Sequence, residues 1–348
     1  MFVIRRIDRH SLCRSVKLVK NMSSTANKRI GIVGCPFSKG QQIRGTELAP
    51  MAIRQAGLVY EMHSNNEALD VQDYGDVQIA HRKYSPEYPK NMRNYGQIVG
   101  TVANLASKVE EILKDDRIAV TIGGDHSVGI GSIGAHLKHN KDIAVIWVDA
   151  HADINTNLTS LSGNIHGMTV ALLAKELESY WPKLPGMEWL ENKLSLKDIV
   201  YIGLRSIDPL EKMIMNKFNV HAYGMEDIDR HGIYGVVERA LKYVDPENKK
   251  SFHVSYDIDS LDGLEAPSTG TKVRGGLTLR EGICVLEEIY DTGRLAAVDL
   301  VEVNPAIGSD DDVAKTVDAA IQILKAACGT VRKGVMPNDV AIPKPCTD

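Results

Sequence analysis

Short apolar runs alternate with helical patterns along most of the chain. Runs that read as buried strands lie at Ile30–Gly34, Ile118–Ile122, Ile143–Val148, Ile199–Gly203, Val220–Tyr223, Phe252–Tyr256 and Ala297–Val301. Helical stretches separate most of them: Pro50–Ala56 with Gly57 as its stop, Gln97–Lys114, Ser127–Lys138, Met168–Leu177, Met225–Tyr243, Thr278–Tyr290 and Asp310–Ala327. Short strands without polar alternation are buried on both faces. Their alternation with helices implies a parallel sheet covered on both sides. The expected fold class is therefore α/β, a single domain with a mostly parallel β-sheet sandwiched by helices in three α/β/α layers. No internal repeat or long linker divides it, so one domain is expected over residues 30–332.

The ends differ from this body. Residues 1–29 carry Arg5, Arg6, Arg9, Arg14, Lys17, Lys20, Lys28 and Arg29 against a single acid, Asp8, with apolar residues and serines interleaved. That composition is expected of a mitochondrial presequence. The other reading is a basic terminus without an address, which leaves a cytoplasmic protein. Residues 333–348 hold Pro337, Pro343 and Pro345 without apolar periodicity and read as a tail.

Composition adds exclusions. Hydrophobic residues make up 43% of the 348 positions, charged residues 25%, and the formal net charge is −4, which excludes wholesale disorder and gives no electrostatic footprint for nucleic acid. The longest apolar runs are too short to span a bilayer, so no membrane partner is expected. Five scattered cysteines without CxxC spacing suggest neither a zinc site nor a disulfide framework.

In parallel sheets of this kind, function gathers beyond the carboxyl ends of the strands. Four of the predicted strands end in polar clusters: Gly123-Gly124-Asp125-His126-Ser127, Asp149-Ala150-His151-Ala152-Asp153, Asp257-Ile258-Asp259 and Glu302-Val303-Asn304-Pro305. If extended geometry continues, Asp149, His151 and Asp153 point the same way, as do Asp257 and Asp259. With His126 this assembles four carboxylates and two imidazoles. Four crowded carboxylates repel one another, and two divalent cations would cancel their charge. An oxygen-rich set with two imidazoles favours a fairly hard ion such as Mn(II), and bridging carboxylates would hold two ions about 3.5–4 Å apart. Each motif alone has a bland reading as a turn or a helix cap. Their coincidence at adjacent strand ends favours the metal site.

A competing motif is Gly129-Ile130-Gly131-Ser132-Ile133-Gly134, which matches GxGxxG and is followed by Asp149. A dinucleotide fingerprint needs its first glycine in the turn directly after the strand. Here six residues intervene, so Gly129 is expected inside a helix, where the spacing permits close packing of helix on sheet.

The set GGDHS, WVDAHADIN, SGNIHG, YIGLRSIDP, SYDIDSLD, APSTGT and LVEVNPAIG, preceded by Gly34-Cys35-Pro36-Phe37-Ser38-Lys39-Gly40, closely resembles the arginases of the ureohydrolase family, from about Arg29 to about Arg332. The resemblance implies two Mn²⁺ ions per chain. His126, Asp149, Asp153 and Asp257 would hold one ion, and His151, Asp149, Asp257 and Asp259 the other, with Asp149 and Asp257 bridging. It implies hydrolysis of L-arginine to L-ornithine and urea through attack of a metal-bridging hydroxide on the guanidinium carbon. Asp153 would orient the hydroxide and take its proton, His166 would shuttle protons to solvent, and Glu302 would hold the guanidinium. Asn155 and Ser162 resemble readers of the α-carboxylate, Asp208 and Glu211 readers of the α-amino group, and Thr271 a residue lining the site.

The resemblance also implies a homotrimer or hexamer. Arg332 lies near a family trimer contact, one position out of register. Ser206 stands where many arginases have Asp, and Ser260 and Gly263 replace a Gly and a Pro. Related ureohydrolases act on agmatine or formiminoglutamate. Agmatine has no α-carboxylate for Asn155 and Ser162 to read. A non-catalytic member would be expected to lack a ligand, and none is missing.

Overall fold

The computed structural model describes residues 29–64, 69–81, 85–330 and 332. The proposed presequence, except Arg29, and the tail 333–348 lie outside the described residues. The chain opens with β1 (Arg29–Gly34), α1 (Ala49–Gln55), α2 (Leu58–Ser64), β2 (Val71–Asp76) and α3 (Tyr95–Lys114). It continues through β3 (Arg117–Ile122), α4 (Gly129–His139), β4 (Ile143–Val148), α5 (Thr169–Leu173), β5 (Ile199–Leu204) and α6 (Pro209–Phe218). The last third holds β6 (His221–Gly224), α7 (Met225–Val244), β7 (Ser251–Asp257), α8 (Leu279–Asp291), β8 (Leu295–Val301) and α9 (Asp310–Ala327).

The strands form one eight-stranded sheet in the order β2-β1-β3-β8-β7-β4-β5-β6, and every pairing is parallel. Strand β4 shows how the sequence fills both layers. Successive side chains of a strand alternate between faces. Ile143, Val145 and Trp147 enter the core on the side of α3, α4 and α5, while Ala144, Ile146 and Val148 enter the core with residues of α1, α7, α8 and α9. That is why β4 is apolar at every position. The chain leaves β3 and resumes at β4 three positions further along the sheet, and β8 and β7 later fill the two places between. The carboxyl ends of β3, β8, β7 and β4 therefore form one continuous row.

Three elements escaped the sequence pattern. Strand β2 is a half-exposed edge strand with the sequence VQDYGD, too polar to stand out. Helix α2 is short. Helix α6 buries only Glu211, Ile214 and Met215, so its apolar period is weak, although its start was written in local chemistry. Pro209 occupies the first turn, and Asp208 and Glu211 form a reciprocal capping box. The expected helix Met168–Leu177 is shorter than its pattern: α5 stops at Leu173 and a 3-10 turn follows at Lys175–Tyr180. The GxGxxG glycines do lie in a helix, α4, but they serve helix–helix contact as well. A Cβ on Gly131 would meet the Val102 carbonyl of α3 at 2.6 Å. Among the described residues no helix is long and apolar enough to cross a membrane, and Cys35, Cys284 and Cys328 are free thiols.

Candidate metal centre

The predicted ligands converge, though not by continued strand geometry. Strand β4 ends at Val148, and Asp149 to His151 form a bend in which the His151 N–H donates to Asp149 Oδ1 at 2.7 Å. Asp153 has a left-handed φ of 49°. Asp259 sits in a 3-10 turn, Ile258–Ser260, whose first N–H groups are capped by Asp257, with the Asp259 N–H donating to Asp257 Oδ1 at 2.8 Å. Turns therefore aim these side chains, where strand alternation had been expected to do so.

The His126 Nδ1 atom lies 3.1 Å from Asp149 Oδ2, 3.2 Å from Asp153 Oδ2 and 3.1 Å from Asp257 Oδ2. His151 Nδ1 lies 3.5 Å from Asp149 Oδ1 and 3.1 Å from Asp259 Oδ2. Asp149 thus shows one oxygen to each imidazole, the arrangement of a bridging carboxylate. The ligand atoms of His126, Asp149 and Asp153 fall within 4.8 Å of one another, as do those of Asp149, His151 and Asp259. Asp257 faces the first group through Oδ2, while its Oδ1 accepts the Asp259 N–H.

Electrostatics favour cations here. Burial raises the carboxyls of Asp153, Asp257 and Asp259, and the neighbouring carboxylates raise them further. Burial opposes charge on the imidazoles, yet the carboxylates overcome it: His126 is pushed far up and His151 to about 12. Without metal, protons between imidazole and carboxylate offset part of this anionic cluster. A divalent ion would replace such a proton with more charge, and the oxygen-rich donor set with two imidazoles fits a hard to intermediate ion. The residues present fit a metal cofactor, with two groups of candidate ligands.

Behind the first group lies a buried polar series. Trp147 stacks on the His126 ring at 4.1 Å and 9°, and donates its Nε1–H to Asp149 Oδ2 at 3.0 Å. His126 Nε2 meets Ser255 Oγ at 3.0 Å. Ser255 donates to Asp299 Oδ2 at 3.3 Å, and Ser132 Oγ (2.7 Å) and His253 Nε2 (3.0 Å) reach the same oxygen. Ser255 gives its own hydrogen to Asp299 and so accepts one from Nε2; with a metal on Nδ1 the series would hold His126 as the Nε2–H tautomer.

Glu302 follows β8 with a left-handed φ of 64° and is 1% exposed. A non-glycine residue in that region signals a backbone held by its surroundings. Its carboxylate accepts the His126 N–H at 2.9 Å and Gln41 Nε2–H at 2.5 Å, and lies 3.1 Å from His166 Nδ1. Burial alone would lower the His166 imidazole, but Glu302, with Asp153 and Asp125 behind it, lifts it to about 9.

Of the residues expected to read the substrate, Asp208 and Ser162 are exposed and Asn155 and Glu211 are buried. Asp208 accepts from the Leu210 and Glu211 N–H groups at 2.8 and 2.9 Å, so it caps α6. Asn155 Nδ2 donates to Asp208 Oδ2 at 2.7 Å, and Asn155 Oδ1 is buried without a partner. Glu211 is buried, accepts the Ile154 N–H at 3.2 Å, and is raised to about 8 by burial and by Asp153. Ser162 stands exposed on the loop after Asn155, its Oγ 3.4 Å from Ser160 Oγ. Thr271 donates to Asp259 Oδ2 at 2.8 Å, which makes it a partner of a candidate ligand. Arg332 holds Glu287 of its own chain at 2.9 and 2.6 Å.

Sequence reasoning passed over Gln41, Asp125, Ser255, Asp299 and Arg205. Gln41 directly follows the Gly34–Gly40 segment. Asp125 accepts the Gly40 N–H at 2.7 Å and joins that segment to the His126 loop. Asp299 was the plainest missed signal, since an acid inside an apolar strand needs partners.

A model of the arginase family matches residues 28–329. Arginase-1 of Homo sapiens is 44% identical over 314 residues, covering 89% of this chain and 96% of that protein. Arginase-2, mitochondrial, of Rattus norvegicus is 43% identical over 308 residues, covering 88% of this chain and 86% of that protein. The solved structure of arginase from Bacillus caldovelox matches with a TM-score of 0.78 at 33% identity, over 88% of this chain and 99% of that chain.

Proposed function

Because the chain belongs to the arginase family, and so hydrolyses L-arginine to L-ornithine and urea, we propose that it does this with two Mn²⁺ ions sharing Asp149. One observation carries the proposal: the two groups of ligand atoms meet at the two oxygens of that carboxylate. His126, Asp149, Asp153 and Asp257 hold the first ion, and His151, Asp149, Asp257 and Asp259 the second. Bound there, the ions supply Lewis acidity, which can lower the pKa of water from 15.7 toward about 7.

The side chains divide the remaining work. Glu302 is fixed at the buried end and accepts hydrogen bonds, so it receives the planar guanidinium. Asp153, beside the first ligand group, orients the attacking water and takes up its proton. His166 is partly exposed and hydrogen-bonded to Glu302, which suits proton exchange with solvent. Asn155 and Ser162 read the α-carboxylate, and Asp208 with Glu211 reads the α-ammonium. The Asn155–Asp208 hydrogen bond ties the two readers together. Thr271 acts on the site through Asp259.

We further assign a homotrimer, with a hexamer as the other assembly, and a mitochondrial address in residues 1–29, supported by their basic, acid-poor composition. The test of the chemistry is urea release from L-arginine and from agmatine by Mn(II)-reconstituted protein. Turnover of arginine well above agmatine supports the assignment of Asn155 and Ser162. Equal turnover overturns it. A reporter fused to residues 1–29 that stays cytosolic overturns the address.

A further inference from the structure

Arg205 follows β5 and has no part in the chemistry above. Its half-buried guanidinium makes six hydrogen bonds, every one to a main-chain carbonyl: Gly203, Asp259, Ser260, Leu261 and, twice, Val273. The shortest run from Nη2 to Asp259 O at 2.7 Å and to Val273 O at 2.8 Å. Three consecutive carbonyls, those of residues 259 to 261, converge on this one cation. A buried cation is ordinarily matched with a carboxylate; here the planar fork is spent on backbone. Burial lowers its pKa from the ordinary arginine value, and the nearby charges of Asp259, Asp149, Asp262 and Asp257 oppose that shift.

The three segments behind the second ligand group all fasten to this residue. The turn that carries Asp259 gives it three carbonyls. The loop that carries Thr271 gives it Val273 O. The bend that carries Asp149 and His151 is tied through Ala150 O, which accepts the Arg205 and Ser206 N–H groups at 3.0 and 2.9 Å. Gly276 closes the seat, because a Cβ there would meet Nη2 at 2.6 Å and the main chain at Asp262 N (2.6 Å) and Leu261 C (2.7 Å). Neither His126 nor Asp153 bonds to Arg205.

We propose that Arg205 is the positioning residue of the second metal position, fixing the turn and loop that aim Asp259 and Thr271 while placing a permanent positive charge behind the carboxylates. The inference rests on the two-ion reading. Lysine cannot replace it, because a single ammonium has three donors and no planar fork for carbonyls arranged around it.

The experiment titrates full-length, metal-free protein with Mn(II) by calorimetry, comparing wild type, Arg205→Lys and Gly276→Ala, with thermal melts alongside. Gly276→Ala keeps Arg205 but crowds its guanidinium together with the main chain at Leu261 and Asp262, so Arg205→Lys is the sharper of the two. In both variants the second association is expected to weaken on the order of 10- to 100-fold, with the first within about threefold. Activity at limiting Mn(II) falls, excess Mn(II) restores it, and KM for arginine at saturating metal changes little. Two wild-type associations in both variants would overturn the inference and leave the two-ion reading intact. Equal weakening of both associations, with a lowered melting temperature, would reduce Arg205 to a general structural part and overturn it too. A wild type that binds a single ion would overturn the two-ion reading, and the inference with it.

Discussion

His126 and His151 present the same atom, Nδ1, to opposite oxygens of Asp149, yet the chain surrounds them differently. His126 is fully buried, stacked on Trp147 and backed through Ser255 by Asp299, which lies within β8. The His151 side chain is 24% exposed and stands in a bend. Its neighbours Asp259 and Thr271 belong to a turn and a loop held by Arg205. The first half is therefore positioned by the interior of the sheet, and the second by backbone fastened from outside it. Strands in a packed core hold geometry at little local risk. Loops need dedicated fasteners, and losing one should loosen only the half it serves.

Four substitutions break or sharpen this contrast. The largest effect is expected from Asp149→Ala, which removes the carboxylate whose two oxygens face the two imidazoles. Metal analysis should show both ions lost, with kcat down by at least about 10³-fold, the equivalent of roughly 4 kcal/mol of transition-state stabilisation. Retention of one tightly held ion would show that the halves are independent. Next comes Asp299→Asn, which weakens the anchor of His126 at two removes. The first Mn(II) association should weaken about 10- to 100-fold and the second remain, the reverse of Arg205→Lys; equal losses in both variants would erase the contrast.

Asp208→Asn addresses neither half. It should lower kcat/KM for arginine about 10- to 100-fold through a lost charge-assisted bond of roughly 1.5–3 kcal/mol, with both metal affinities unchanged in calorimetry. Asn can still cap α6. Asp208→Ala should also cost about 1 kcal/mol of stability by removing that cap, so the Asn variant isolates recognition better.

The smallest effect concerns His166 in metal-free protein. Its pKa is raised from 6.5 to about 9 in the fold. A raised folded pKa contributes stability in full below the unfolded value, and that contribution is lost as pH rises through the folded one. Denaturant unfolding should therefore show wild type losing on the order of 2–3 kcal/mol between about pH 6.5 and pH 9, and His166→Asn losing less. Identical slopes would remove His166 from the charge balance beside Glu302.

The uneven legibility of the sequence follows the same divide. All seven expected strands are present: six are largely buried and read as mainly apolar runs, while β6, the other edge, is only part-buried. Edge strand β2 escaped, being polar and half-exposed. The six metal-ligand candidates stood out because motifs that each have a bland reading alone coincide at neighbouring strand ends. What aims them was not readable. The positive φ of Asp153 and Glu302 is imposed by tertiary contacts, and no local signal at an Asp or Glu announces it. Arg205 was hidden for another reason: its partners are carbonyls from three separate stretches, and a carbonyl is the same at every residue. Thr271 was read as lining the site, and only the fold shows it hydrogen-bonded to Asp259.

The central claim, two ions sharing Asp149, is tested most directly by Mn(II) paramagnetic resonance during stepwise reconstitution of the metal-free protein. The account predicts an isolated-ion signal at the first equivalent. It predicts replacement of that signal by one from a spin-coupled pair at the second, as ions about 3.5–4 Å apart require. A spectrum that saturates at one equivalent, or a second equivalent that adds only uncoupled signal, would contradict it.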